Sequence, residues 1–81
     1  MEKASRPVII EKVILIISQQ LGVDKQIINI ESNLIEDLGA DDEDLEEIII
    51  QVESEFDISL SGQEQNMATV GEIINHILLE Q

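Results

Sequence analysis

Apolar residues recur at intervals of three and four positions in three separate stretches of this 81-residue chain. Such spacing places them along one face of an α-helix, so each stretch predicts an amphipathic helix with a buried face. A β-branched run at residues 13–17 would also suit a buried strand, but it lacks flanking turn signals and a second strand to pair with. The repeating positions are Ile9, Val13, Ile16, Ile17 and Leu21, then Leu45, Ile48, Ile49, Val52 and Phe56, then Val70, Ile73, Ile74, Ile77 and Leu78. An all-α fold is the prediction.

Residues typical of helix ends bracket these stretches. Pro7 suits a first helical turn with Ser5 as its cap, and Gly22 supplies a left-handed stop. Asp41 can cap the second helix, whose first turn is acidic. Thr69 is followed three residues later by a glutamate, which is the capping-box pattern. The predicted helices span residues 7–21, 41–56 and 70–80.

Two connections join the predicted helices. Residues 23–38 form a long connection, which in a small domain requires apolar side chains that pack inward. Those expected to do so are Ile27, Ile28, Ile30, Leu34 and Ile35. Residues 57–68 contain a glutamine-rich piece that predicts a short third helix of one turn. We therefore expect a polar lead-in at residues 1–6 and one domain at residues 7–81, folded as a small antiparallel helical bundle.

The chain is strongly acidic, with 18 acidic and four basic residues and a net charge of −14. This charge repels phosphate backbones and anionic lipids, so we expect no nucleic acid or membrane partner and instead a protein with a basic patch. Eight of the residues at 36–47 are acidic, which concentrates the charge at the start of the second helix. The chain has no signal-peptide pattern and no apolar run of about 20 residues, which predicts a cytoplasmic protein.

Other site chemistries find little support in the sequence. Cysteine is absent, so thiolate metal sites and disulfides are excluded, and the acidic stretch lacks the glycine and ligand alternation of a calcium loop. We expect no metal. His76 is the sole histidine and is interpreted as an exposed helix residue. The many carboxylates have no implied pocket that would separate their pKa values, so we expect no enzyme.

Residues 38–56 read Leu-Gly-Ala-Asp-Asp-Glu-Asp-Leu-Glu-Glu-Ile-Ile-Ile-Gln-Val-Glu-Ser-Glu-Phe. Without a gap, this stretch resembles the acyl carrier protein signature, whose usual form is Leu-Gly-Ala-Asp-Ser-Leu-Asp followed by an acidic amphipathic helix. Residues 20–23, 34–38 and 68–70 also resemble that family. The resemblance implies a four-helix bundle with acyl groups carried as thioesters on phosphopantetheine, which is attached to a serine at the start of the second helix. It also implies that enzymes with basic patches dock on that helix.

The chain departs from the signature at the attachment site. Asp42 stands where the family carries its serine, and Glu43 and Glu46 stand where it carries apolar residues. A carboxylate cannot form the stable phosphodiester, so we expect no phosphopantetheine on the chain as written. The nearby hydroxyls of Ser32, Ser54, Ser59 and Ser61 lack the acidic helix-start context. The resemblance implies a docking surface made of Asp41, Glu43, Asp44, Glu46, Glu47, Ile50 and Glu53.

The first helix carries a further departure. Ile10, Ile14 and Leu15 occupy positions that are usually polar in the family, so this helix is apolar almost all round. A small bundle cannot enclose such a helix, which predicts a partner or a homodimer through these residues. The alternative is that the long connection leans over them.

Three functions follow as hypotheses. The leading one is an acyl-carrier-like binding module of lipid metabolism that carries no phosphopantetheine and acts by docking. The second is a genuine acyl carrier protein of fatty acid biosynthesis with an altered attachment site. The third is a homo-oligomeric structural protein.

Overall fold

The computed structural model describes residues 3–60 and 67–81. Its α-helices are α1, Arg6–Leu21, α2, Asp42–Phe56, and α3, Val70–Glu80, with a 3₁₀ turn at Lys25–Ile27. Over these residues the chain forms no strand beyond an isolated bridge between Asn33 and Thr69, so the all-α prediction is confirmed. The glutamine-rich piece that predicts the short third helix lies outside the described residues. No helix in the described part of the chain has the length and apolar character needed to cross a bilayer.

Reciprocal capping boxes start α2 and α3. At α2 the Asp44 N–H donates to Asp41 Oδ1 at 2.9 Å, and the Asp41 N–H donates to Asp44 Oδ2 at 3.2 Å. At α3 the Glu72 N–H donates to Thr69 Oγ1 at 3.2 Å, and the Thr69 N–H donates to Glu72 Oε1 at 3.0 Å. Each box satisfies N–H groups that lack partners within the helix. The start of α2, which carries the acidic cluster, is therefore firmly set.

The ends of α1 follow the sequence pattern with one exception. Gly22 adopts the left-handed conformation, with φ of 70°, and its N–H donates to Ser18 O at 2.9 Å. This is the stop that the glycine predicts. Ser5 occupies the N-cap position, but its side chain makes no capping hydrogen bond, so its predicted capping role is wrong. Pro7 instead fixes the backbone of the first turn.

The core is aliphatic and lies between the buried faces of the three helices. Of the 15 helix residues predicted to face inward, 11 are buried and the other four are half-buried. The buried helix residues are Ile9, Val13, Ile16, Ile17, Ile48, Ile49, Val52, Val70, Ile73, Ile74 and Ile77. Leu21, Leu45, Phe56 and Leu78 are half-buried against this cluster.

The connection between α1 and α2 only partly follows the prediction. Ile28 and Leu34 are buried, but Ile27, Ile30 and Ile35 are 57%, 43% and 48% exposed, so the expectation that all five pack inward is wrong. The segment runs as tight turns fixed by side-chain to backbone hydrogen bonds, such as those from the Ile35 and Glu36 N–H groups to Asn33 Oδ1 at 3.0 and 2.9 Å. These turns decide which aliphatic residues point inward.

The same connection completes the first turn of α3. Three backbone hydrogen bonds join them, which are Leu34 N–H to Ala68 O at 2.9 Å, Val70 N–H to Ser32 O at 3.1 Å and Gly71 N–H to Ile30 O at 2.9 Å. A Cβ on Gly71 would lie 3.0 Å from Ile30 O, so this close approach favours glycine. The carbonyls of the connection therefore accept from N–H groups that the helix itself leaves unsatisfied.

Polar contacts fix α1 against α2. Near the end of α1, Gln20 Nε2 donates to Asp44 Oδ1 at 3.3 Å and Gln20 Oε1 accepts from Gln51 Nε2 at 3.1 Å. In the first half of α1, Lys12 Nζ pairs with Glu55 Oε2, near the end of α2, at 2.8 Å. The end of one helix thus meets the start of the other, so α1 and α2 run in opposite directions.

Candidate functional site

Asp42 is the first residue of α2 and follows the cap residue Asp41. Both side chains are exposed, as is that of Glu43. The oxygens at this position are those of a carboxylate at a helix N-terminus, where the macrodipole favours negative charge. Asp42 is thus accessible to a partner and compatible with the helix, but it offers no hydroxyl.

Asp44 is the member of this acidic turn whose carboxylate is engaged on two sides. The hydrogen bond from the Asp41 backbone N–H, followed by that from the Gln20 side-chain amide, holds the pKa of the Asp44 carboxyl below its ordinary value of 3.8. A group that is held ionised in this way keeps its negative charge at the helix start over a wide pH range.

The docking residues that the sequence predicts divide into two groups. Asp41, at the N-cap of α2, is exposed, as are Glu43, Glu46, Glu47 and Ile50 on the helix, where Ile50 is 48% exposed. Asp44 and Glu53 are half-buried and bonded. The Leu60 N–H donates to Glu53 Oε2 at 2.7 Å, so Glu53 fixes the turn that follows α2. That structural role was missed at the sequence level, because its partner is a backbone group beyond the helix.

A cavity of about 530 Å³ opens beside the first turns of α2, although the sequence implied no pocket. Its residues are Ile35, Asp42, Leu45, Glu46, Ile49, Met67 and Ala68. Ile49 and Met67 are 5% and 1% exposed and supply a buried apolar wall. Asp42 and Glu46, which are four residues apart on α2, both belong to it. Leu45 and Ile49 have the same spacing, which could have predicted that α2 forms one wall of the cavity. No sequence signal predicts that Met67 lies against that wall.

The apolar residues singled out on the first helix do not behave alike. Ile10 and Ile14 are half-buried against the core, and α1 contacts the 3₁₀ turn of the connection. Leu15 is 42% exposed and lines a groove of about 540 Å³ between α1 and α2, together with Ile50. The exposed Leu15 and Ile50 therefore both lie at the junction of these helices. Contact with a partner through this face stays a prediction.

The hydroxyls near the site are unlike the family's attachment serine. Ser32 is 6% exposed, and its Oγ accepts from the Asn29 N–H at 3.1 Å. Ser54 and Ser59 are exposed, but neither stands at the start of a helix within the described residues. Ser61 lies outside the described residues.

His76 differs from its sequence interpretation. It is half-buried at the edge of the buried face of α3, and its Nδ1 is buried without a hydrogen-bond partner, so the prediction of an exposed residue is wrong. Its position three residues after Ile73 brings the ring against the core edge. Within residues 3–60 and 67–81, no three or more His, Asp or Glu side chains are grouped so that they could hold a metal ion.

Comparison with known proteins covers most of the chain. Residues 11–77 match the family model described as the phosphopantetheine attachment site. The chain is 44% identical over 70 residues to an acyl carrier protein from Clostridium acetobutylicum, which covers 85% of this chain and 91% of the relative. It is 43% identical over 75 residues to an acyl carrier protein from Thermotoga maritima, which covers 91% and 93% of the two chains. A third acyl carrier protein, from Chlamydia felis, is 46% identical over 68 residues, with 83% and 87% covered. The helical chain with Asp42 at the start of α2 thus belongs to the acyl carrier protein family.

Proposed function

We propose that this member of the family acts by docking on a basic partner protein and carries no phosphopantetheine at position 42. The observation behind the proposal is the exposed carboxylate of Asp42 at the first position of α2. The family consists of carriers rather than enzymes, which agrees with the absence of enzymatic activity predicted from the sequence.

The chemistry of attachment supports the first half of the proposal. Transfer of phosphopantetheine requires an oxygen that attacks phosphorus and then remains as a stable ester. A hydroxyl gives a phosphodiester, whereas a carboxylate would give an acyl phosphate, which is a mixed anhydride that water hydrolyses. No thiol is available as a substitute in the chain. The residues at the start of α2 therefore do not fit a stable covalent arm.

The charge distribution supports docking. Five docking residues, four of them carboxylates, are exposed at the N-cap and on α2, and the chain has a net charge of −14. A concentrated field of one sign steers a partner of opposite sign and raises the association rate, and it does so less at high salt. Ile50 adds an exposed apolar residue to this surface. Such residues contribute most of the affinity at many interfaces, while charges at the rim set rate and orientation.

Intact mass spectrometry tests the first half of the proposal. The chain is co-expressed with a phosphopantetheinyl transferase, next to an ordinary acyl carrier protein as the positive control. We expect the control to gain the mass of one arm and this chain to gain none. A stable arm on the unaltered chain would overturn the proposal.

A salt titration tests the second half. A partner captured from the source cell is expected to bind with an association rate that falls as ionic strength rises. A matched variant, Glu43→Gln/Glu47→Gln, removes two exposed charges from the docking surface and is expected to lower that rate. An association rate that responds to neither change would contradict docking through α2.

A genuine acyl carrier protein of fatty acid biosynthesis is the second candidate, and the comparisons support it better than the first. All three relatives are named as acyl carrier proteins. Under this candidate the arm is attached at an atypical hydroxyl, and among the described serines Ser54 and Ser59, which follow the middle of α2, and Ser5, before α1, are exposed. Peptide mapping of any arm found in the co-expression experiment would locate it.

The exposed Leu15 adds to the proposal a contact made through α1, either with a partner protein or with a second copy of the chain. A protein that only assembles with copies of itself in this way would be a homo-oligomeric structural protein, the third candidate. Light scattering at high protein concentration distinguishes these, because a strict monomer excludes the homodimer. Leu15→Glu is the variant expected to disperse a dimer if one forms.

A further inference from the structure

The side chain of Gln20 makes a hydrogen bond at each end of its amide group. Its Nε2 donates to Asp44 Oδ1 at 3.3 Å, and its Oε1 accepts from Gln51 Nε2 at 3.1 Å. Asp44 and Gln51 lie seven residues apart on α2, which is two helical turns or about 10 Å along the axis. One amide group of α1 therefore connects the first turn of α2 with the third.

The charge of Asp44 sets the direction of these bonds. An ionised carboxylate only accepts hydrogen bonds, so Gln20 turns its NH2 group towards Asp44 and its oxygen away. That oxygen takes the NH2 group of Gln51 as its donor. A protonated Asp44 both donates and accepts, which would let both amides turn over. The negative charge of one residue thus fixes the orientation of two others.

The two ends of this chain of bonds lie at different surfaces. Asp44 belongs to the capping box of α2, because its Oδ2 accepts from the Asp41 N–H at 3.2 Å. Gln51 lines the groove of about 540 Å³ between α1 and α2, together with Leu15 and Ile50. A molecule that enters this groove therefore lies beside the Gln51 amide, two helical turns away from the capping box.

We propose that Gln51, Gln20 and Asp44 form a directed relay that links this groove to the start of α2. A contact that draws the Gln51 NH2 group away from Gln20 leaves the Gln20 oxygen without its donor. Because hydrogen bonds in a chain strengthen one another, the bond from Gln20 to Asp44 then weakens as well. Gln20 and Gln51 are positioning residues in this relay. The relay goes beyond the proposed function, since it is a property of the free protein.

A simple packing role for the two glutamines is the alternative. Each glutamine would then affect only the group that it contacts, and Gln51 bonds to Gln20 and not to Asp44. The pKa of the Asp44 carboxyl separates the two cases, because the Asp41 N–H and then the Gln20 amide hold it below its ordinary value. None of the described basic side chains contributes to that lowering.

The first measurement is therefore the pKa of Asp44, followed through its carboxyl carbon in a nuclear magnetic resonance titration. Methionine keeps the length of glutamine and removes the amide. We expect the pKa to rise in Gln20→Met, to rise by less in Gln51→Met, and to stay at the parent value in Gln19→Met, whose exposed side chain lies outside the relay. An unchanged pKa in Gln20→Met or Gln51→Met, or an equal rise in Gln19→Met, would overturn the relay.

The second measurement is made at neutral pH, where the fold is not under acid stress. The side-chain NH2 resonance of Gln51 is compared between the parent and Asp44→Asn, in which the acceptor loses its charge. We expect it to move towards the resonance of the exposed Gln19 NH2 group, because a neutral acceptor polarises the Gln20 amide less.

Two controls belong to this second measurement, and the amide spectrum shows that each variant is folded. Glu43→Gln removes a neighbouring charge outside the relay and is expected to leave the Gln51 resonance in place. Adding Gln20→Met to Asp44→Asn is expected to cause no further response to the lost charge, because the connecting amide is gone. A Gln51 resonance that ignores Asp44→Asn, responds equally to Glu43→Gln, or still responds to Asp44→Asn without Gln20 would refute the relay.

Discussion

Restoring the hydroxyl at position 42 is the most direct way to ask what this protein has lost. The double variant Asp42→Ser/Glu43→Leu rebuilds the family signature at the start of α2, and we expect it to accept phosphopantetheine. The hydroxyl would stand at the first residue of an exposed helix start, with the acids at 41 and 44 still in place. Success would show that the chain differs from an ordinary carrier mainly at these two positions.

The fold is expected to tolerate this change. Both replaced side chains are exposed, and neither makes a hydrogen bond among the described residues. Each acid in the first turn of a helix contributes about 0.3–1 kcal/mol, so the loss is at most about 2 kcal/mol and is offset by weaker repulsion within the cluster. The capping box of Asp41 and Asp44, worth about 0.5–2 kcal/mol, is retained. We therefore expect the free energy of unfolding to fall by about 1 kcal/mol, which a domain of this type survives.

Intact mass after co-expression with a phosphopantetheinyl transferase gives the readout, and urea unfolding confirms that each variant is folded. Asp42→Ala/Glu43→Leu is the matched control, because it has the same restored apolar residue and no hydroxyl. An arm on this control would place attachment elsewhere and refute the reasoning about Asp42. A folded serine variant that stays unmodified would show that the difference extends to Glu46 and the wider docking surface, where Glu46→Val would be added next.

Three further predictions concern stability and are measured by urea unfolding. Gly71→Ala places a Cβ at 3.0 Å from Ile30 O. We expect the free energy of unfolding to fall by about 1 kcal/mol, because crowding of about 1–3 kcal/mol exceeds the gain in helix propensity. A stabilised variant would contradict this. Asp57 ends α2 with φ of 54°, so Asp57→Gly is expected to stabilise by about 0.5 kcal/mol as the left-handed strain is relieved, and an unchanged midpoint would refute it. The pKa of Asp44 is lowered in the folded protein, so the contribution of its carboxylate to the free energy of unfolding is present above about pH 3.8 and is lost as pH falls through the folded value. Asp44→Asn is therefore expected to make the free energy of unfolding less dependent on pH in that acid range. Parallel curves for parent and variant would contradict this.

The helices were predictable because their residues obey one local rule. The spacing from Ile9 to Ile17 and from Leu45 to Phe56 identifies the buried faces, and the residues at Gly22 and Asp41 mark the ends. Each of these signals acts within a few positions of the chain. Because apolar residues repeat every three or four positions, they lie on one face of each helix, and that face becomes buried when the helices pack.

The remaining features depend on contacts between distant parts of the chain. Ile35 is aliphatic and yet exposed, because hydrogen bonds to Asn33 set the direction of its turn. The cavity requires Met67 to lie beside Ile49, and no spacing within the sequence encodes that approach. The partial burial of His76 likewise depends on how α3 packs. Periodicity assigns faces, whereas the shape between the elements is decided by tertiary packing.

The hydrogen bonds between residues 30–34 and 68–71 join two backbone segments, one before α2 in the chain and one after it. The donors of these bonds are the backbone N–H groups of Leu34, Val70 and Gly71. We expect a partner bound to α2 to change the stability of these three hydrogen bonds, because they join the segments on either side of that helix. The exchange of these three amides with deuterated solvent, measured with and without the partner, tests this expectation.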